Sequence, residues 1–269
     1  MCIVGAAMKQ PARLALVAVM TVVPPLLRGA QPPEVPDWAL PGSATHQQVP
    51  PPAGFHRPTV VFHEPIGVFE GQADVGGPLL PGSARWEPAG RAYFIDSASY
   101  NIWYFRDEFR FLWKKMAGDV SLAANVIFPK TDGYGDRKAV LIVRQDLDDD
   151  AKEIMTALHG AGLIHLAYRP EKGADLKEAC RFDRPGRPLP GQPPGLIPTV
   201  RIGIEKHGDA FQLYYGLKDG TLVPAGAPVT LHFDGPFYVG LGFCSHQPAV
   251  SDEAMLTNVV VVNAAGQVR

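Results

Sequence analysis

Residues 146–153 read Asp-Leu-Asp-Asp-Asp-Ala-Lys-Glu, the densest group of carboxylates in the chain. Carboxylates this close admit three chemistries. Two of them about 5–5.5 Å apart, such as members of the series Asp148, Asp150 and Glu153, form the acid/base or nucleophile pair of a retaining glycosidic cleavage. Hard oxygen ligands on one loop suit Ca²⁺, to which the Asp132-Gly-Tyr-Gly-Asp136 loop would add donors, although neither segment has EF-hand spacing. Carboxylates in front of a helix cap its free N–H groups. Residues 150–158 carry the Ala, Lys, Glu and Met of a helix former, with His159-Gly160 ending the run, so the third reading is the expected one.

A second set sits where apolar patterns stop. Arg144 and Arg169 close apolar runs and are placed to reach into a groove. His159 and His246 stand beside Gly and Ser at element ends, where an imidazole can bond a hydroxyl or exchange a proton. Trp103 and Tyr104 follow Asn101 in a turn, and such rings stack on the C–H faces of sugars. Trp113, alternating with Phe109 and Phe111, reads as core instead. The candidate ligand-binding residues are therefore Trp103, Tyr104, Arg144, His159, Arg169 and His246. No catalytic residue is assigned. The eight His have no metal-ligand spacing, so no metal site is expected beyond the Ca²⁺ option. There is no Gly-x-Ser-x-Gly elbow and no phosphate-binding loop after a strand.

These residues must be positioned by strands. Gly (28) and Pro (27) make up about a fifth of 269 residues, which a helical bundle cannot absorb. Val120, Leu122, Ala124 and Val126 alternate, as do Ile164, Leu166 and Tyr168, then Val200, Ile202 and Ile204, then Phe211, Leu213 and Tyr215. Residues 138–143 form an apolar run that suits a central strand. Residues 229–233, 237–243 and 254–262 complete a set of ten or so. Breaks such as Lys-His207-Gly208-Asp and Lys-Asp219-Gly220 are hairpin chemistry. The fold class expected is all-β, an antiparallel two-sheet sandwich. Residues 184–198, with six Pro, read as a long loop within it.

The net charge of −2 gives no electrostatic footprint for nucleic acid. Residues 1–30 read as a signal peptide, with Lys9 and Arg13 ahead of an apolar run from Leu14 to Leu27 that is too short to span a bilayer. Residues 31–58 hold eight Pro and read as an extended linker. Residues 59–269 would then be one exported domain, secreted or periplasmic. Cys180, placed in a loop, and Cys244, ending a core strand, either pair or stay free.

Several phrases occur in a familiar order. They are Asn101-Ile-Trp-Tyr, Asp107-Glu-Phe-Arg-Phe, Trp113-Lys-Lys-Met-Ala-Gly-Asp, His159-Gly-Ala-Gly-Leu, Arg201-Ile-Gly-Ile-Glu-Lys-His-Gly-Asp and Tyr238-Val-Gly-Leu-Gly-Phe-Cys-Ser-His246. Residues 83–263 thereby resemble a family of concanavalin-like jelly-roll domains. Its members are often secreted and bacterial, and some sit beside TolB-like propellers or in regulation-of-enolase-type proteins. The resemblance implies a concanavalin-like sandwich and, more loosely, a carbohydrate or glycan partner. Three readings follow: a lectin-like binder, a glycan-cleaving or glycan-modifying enzyme using His159, His246 or the 148–153 carboxylates, and an envelope module that binds a protein partner.

Overall fold

The computed structural model describes residues 50–51, 54–183, 199–216 and 220–268, and the structural statements below concern these. The expected signal peptide, about three-quarters of the linker and the Pro-rich segment 184–198 lie outside them. The chain divides into two units, Met1–Glu34 and Val35–Arg269, and the described residues belong to the second.

Every regular element among the described residues is a strand. The strands are β1 (Val60–Phe62), β2 (Gly71–Val75), β3 (Leu80–Glu87), β4 (Ala92–Ala98), β5 (Ile102–Trp103), β6 (Arg106–Asp107), β7 (Phe109–Met116), β8 (Val120–Ile127) and β9 (Lys138–Arg144). They continue as β10 (Glu153–His159), β11 (Leu163–Arg169), β12 (Lys177–Asp183), β13 (Val200–His207), β14 (Ala210–Gly216), β15 (Leu222–Thr230), β16 (Phe237–Cys244), β17 (Asp252–Asn263) and β18 (Gly266–Gln267). One sheet runs β1-β2-β7-β16-β9-β10-β11-β12 and the other β15-β14-β13-β8-β17-β4-β3, all pairs antiparallel. Neighbours far apart in sequence, such as β7 beside β16, are the crossovers of a jelly roll. The expected all-β, two-sheet antiparallel sandwich is the observed fold.

The alternation seen in sequence builds the layer between the sheets. Val120, Leu122, Ala124 and Val126 meet Leu141, Ile154, Leu166, Leu241 and Phe243 there. At full burial each large side chain contributes about 1.5–3 kcal/mol. The eight-stranded sheet is also dry on its other face. Phe109, Phe111, Trp113, Val140, Ile142, Met155, Ala157 and Ala167 form a second core with Ile102 and Leu176. The sandwich thus has a covered outer face, and the cover is the β5–β6 hairpin together with the segment before β12.

That second core explains where the sequence reading of residues 150–158 departs from the structure. They form no helix. Glu153–His159 is β10, paired on both sides with β9 and β11. Ile154 and Leu158 enter the inter-sheet core, while Met155 and Ala157 enter the second one. A strand buried on both faces is apolar throughout, and for so short a run that pattern is shared with a buried helix. Long-range pairing then overrides Ala and Met propensity. Cys180 lies in β12 rather than in a loop, and it and Cys244 are free thiols. The strand expected over 229–233 ends at Thr230, with Leu231 and Phe233 still buried beyond it. His56 and Arg57, at the end of the expected linker, are bound to Asp149, so packing begins before residue 59.

Close packing between β7 and β16 depends on glycine. A Cβ on Gly240 would sit 1.8 Å from the Leu112 carbonyl oxygen. Only hydrogen at that position lets β16 lie at ladder distance beneath the aromatic rings of β7.

Candidate functional site

The side chains at 138, 140, 142 and 144 of β9, at 153, 155, 157 and 159 of β10, and at 163, 165, 167 and 169 of β11 share the covered face. The ladder aligns Arg144 with Glu153 and Glu153 with Arg169 in one row, and Lys138 with His159 in another. The apolar middle of the face thus separates two polar ends.

At the first end Arg144, Glu153 and Arg169 are 0% exposed, as is Asp107 at the end of β6. Arg144 Nη1 donates to Asp107 Oδ2 at 2.6 Å and also to Glu153. Arg169 grips the same carboxylate with both terminal nitrogens, Nη1 to Oδ2 at 2.8 Å and Nη2 to Oδ1 at 2.7 Å. Burial pushes Asp107 up, but the charges of Arg169 and Arg144 outweigh it and hold the group below its ordinary value. For Glu153 burial dominates, and its carboxyl is raised to about 8. This end is a clasp. It fastens the β5–β6 hairpin to the sheet, and its arginines are committed to internal partners.

At the second end, His159 and His165 meet edge to face with ring centroids 4.9 Å apart. They are 6% and 2% exposed. His165 Nδ1 lies 3.2 Å from Glu178 Oε2, and His159 Nδ1 lies 3.7 Å from Asp136 Oδ1, too long for a hydrogen bond. Nε2 of both rings has no hydrogen-bond partner among the described residues. Burial lowers both imidazole pKa values, that of His159 well below 6.5, while Asp136 is pulled down to about 2 by the His159 imidazole. Lys138 is 2% exposed. Its ammonium donates to Asn101 Oδ1 at 2.8 Å and to the Ile102 carbonyl at 3.4 Å, and burial lowers its pKa.

The hairpin joins the two ends. Half-buried Trp103 stacks on His165 with centroids 5.6 Å apart and planes 12° apart, and Lys138 Nζ lies 5.6 Å from the Trp103 ring centre. Tyr104 turns the chain with a left-handed φ of 58°. Its carbonyl accepts from Leu176 N at 2.8 Å and Arg169 Nη2 at 3.2 Å. His246, after β16, also has a left-handed φ, of 63°. Its ring lies parallel to Tyr134 at 5.4 Å and acts electrostatically on Asp136, which places it beside the second end.

The six residues singled out from sequence therefore gather on one side of one sheet, but in two groups. His159 is one of the imidazole pair, with Trp103 and His246 beside it, while Tyr104, Arg144 and Arg169 belong to the clasp. Asp107, Lys138, His165 and Glu178 were not singled out, and Asp136 only as a possible Ca²⁺ donor. For His165 a signal existed, since it shares strand parity with Arg169, two turns of the pleat away. For Asp107 there was none, because its partners come from distant strands.

The remaining carboxylates take a different role. Asp146, Asp148 and Asp150 surround the Lys172 ammonium, which lies 3.1 Å from Asp146 and 3.4 Å from Asp150 and bonds Asp148 as well. Asp148, Asp150 and Lys172 line a cleft of about 400 Å³ with Asp149, His56, Arg57, Pro58 and Thr59. Lys172 takes the place a cation would occupy. Among the described residues no three His, Cys, Asp or Glu side chains are arranged to hold a metal ion. Glu153, the third member of the series, points instead into the clasp. No helix among the described residues is long and apolar enough to cross a membrane.

Neither a family model nor a curated protein sequence matches the chain. Similar solved structures include a functionally unknown protein from Saccharomyces cerevisiae, at 14% identity over 70% of this chain and 95% of that one, with a TM-score of 0.49. Others are a carbohydrate-binding module of family 66 from Bacillus subtilis (16% identity, 67% and 91% covered, TM-score 0.43) and an alginate lyase from Klebsiella pneumoniae (12%, 68% and 84%, 0.42). Likeness at this level concerns the strand arrangement. The functional reading rests on the site.

Proposed function

We propose that this is an exported carbohydrate-binding domain of the concanavalin-like, lectin-like kind, and that its binding site is the second end of the covered face. One observation carries the reading. A half-buried Trp ring stacks on one of two adjoining buried imidazoles, whose Nε2 atoms have no hydrogen-bond partner among the described residues, beside a lysine ammonium. Aromatic faces with a few convergent polar groups suit sugars, whose C–H faces stack while their hydroxyls bond. Buried polar atoms are mostly paired, and an unmatched pair beside an aromatic face is a place where water or a ligand hydroxyl can bond.

The test is retention of the full chain on soluble polysaccharides by affinity electrophoresis, with product release followed over a day. Retention that Trp103→Ala abolishes supports the reading. Retention unchanged in Trp103→Ala places any binding elsewhere and refutes it. A second reading, a glycan-cleaving enzyme, is favoured by one feature of the same site: two imidazoles kept neutral by burial, either of which could accept a proton. Product release that is lost in His159→Ala would move the assignment there.

A further inference from the structure

The proposed binding site also contains the means to choose among glycans, an inference that rests on the reading above. Each imidazole faces a carboxylate with Nδ1, His165 toward Glu178 and His159 toward Asp136. An ionised carboxylate only accepts, so Glu178 holds the His165 proton at Nδ1 through a hydrogen bond, and Asp136, 3.7 Å from His159 Nδ1, favours the proton on that nitrogen by charge alone. Nε2 of each ring is then a bare lone pair, and among the described residues neither Nε2, nor Nδ1 of His159, has a hydrogen-bond partner. Two neighbouring acceptors need donors. A sugar hydroxyl donates; a uronate carboxylate brings only lone pairs.

The surrounding charges point the same way. Asp136 and Glu178 have the more exposed side chains, 48% and 27%, and present negative charge on the solvent side of the rings. Lys138 is the nearest buried cation, but its ammonium is already turned toward Asn101 and Ile102. Arg181 leans on Glu178 at 3.7 Å and partly offsets it. A metal ion, the other partner for bare imidazole nitrogens, has no third ligand among the described residues.

We propose that this site takes neutral glycans, two hydroxyl groups donating to Nε2 of His159 and of His165, and that it rejects uronates and other anionic sugars. Trp103 stacks on His165, so the sugar enters by displacing that ring and then lies against it.

The experiment compares two panels by affinity electrophoresis of the full chain at pH 7: neutral mannan, xylan and mixed-linkage β-glucan against alginate and polygalacturonate. Expected is retention by at least one neutral polymer and by neither acidic one. His159→Phe and His165→Phe should each weaken it about tenfold, the loss of one buried hydrogen bond. Retention should also fall when the pH is taken well below 6.5, as the rings gain the proton that removes their acceptors. The groups facing them in that titration are Asp136, Lys138, Glu178, Arg181 and His246.

Retention on alginate or polygalacturonate, lost in Trp103→Ala, would overturn the inference while leaving the binding site in place. No retention on either panel would overturn both. Because the His→Phe variants touch buried positions, the ring protons are also read directly. Long-range ¹H–¹⁵N spectra of histidine-labelled wild-type protein should show Nε2 unprotonated in His159 and His165 at pH 7. A proton on Nε2 of either ring would refute the proposal without any variant.

Discussion

Asp107→Asn tests whether the buried clasp seats the hairpin. The Asp107 carboxylate accepts three guanidinium hydrogen bonds, of 2.6, 2.8 and 2.7 Å, with no exposure on either side. Removing its charge leaves two buried guanidinium groups with Glu153 as the one carboxyl they contact, beside backbone carbonyls. An orphaned buried charge costs about 3–5 kcal/mol, whereas an exposed pair such as Arg85–Glu253 contributes about 0–1 kcal/mol. Asp107→Asn should therefore lower the unfolding free energy by about 3–5 kcal/mol and Arg85→Ala by less than about 1.

The assay is urea unfolding followed by tryptophan fluorescence, with the slope checked for constancy so that the midpoint reports stability. A compensating change sharpens it. Asp107→Asn with Arg144→Met removes one positive charge along with the negative one, and should recover part of the loss as a measurable coupling. The acid limb gives a further reading. Arg169 and Arg144 hold Asp107 below its ordinary value, so its contribution is present above that value and lost as pH falls through the lower folded one. A cost under about 1 kcal/mol, no larger than that of a surface pair, would refute the argument that Asp107 fastens the hairpin.

Three other outcomes follow from the same geometry. Glu153 is raised to about 8 by burial, from an ordinary 4.5. The folded state therefore binds the extra proton between those values, stability falls as pH rises across that window, and Glu153→Gln should flatten the fall in a series of thermal melts. Gly240→Ala would press a Cβ into the Leu112 carbonyl, and since backbone cannot yield as a side chain does, melts and urea curves should show a loss of about 1–3 kcal/mol or more. Lys172 fills the carboxylate cluster of Asp146, Asp148 and Asp150, so millimolar Ca²⁺ should leave the wild-type Tm unchanged; a rise of several degrees would show that the cation displaces the lysine.

The sandwich was legible in the sequence because most of its strands bury one face. Ile202 and Ile204, or Phe211 and Leu213, report that at every second residue. The second core was not, because a strand wetted on neither side loses its alternation, and residues 153–159 then resemble a helix. The strands before Phe109 carry weaker patterns: β3 is mostly exposed, and β5 and β6 have two residues each. The site was legible in its residue types and not in its grouping. Arg144 and Arg169 end apolar runs, as a groove-facing pair would. Their partner Asp107 lies 37 and 62 residues away, and that separation turns exposed chemistry into an internal fastening.

A sheet kept dry on both faces must be completed in two acts. The first joins strands to one another, and hydrophobic burial between the sheets drives it. The second waits for residues 102–107 to come down, and it has no footing until Arg144, Glu153 and Arg169 stand in line across three finished strands. The expectation is that docking follows the rate-limiting barrier, so that the clasp governs how fast the molecule comes apart rather than how fast it assembles. In stopped-flow chevrons, the loss in Asp107→Asn should appear almost wholly in the unfolding arm, while Leu141→Ala, in the inter-sheet core, should slow refolding. That pattern would make the hairpin a late keystone: the last piece placed and the first released.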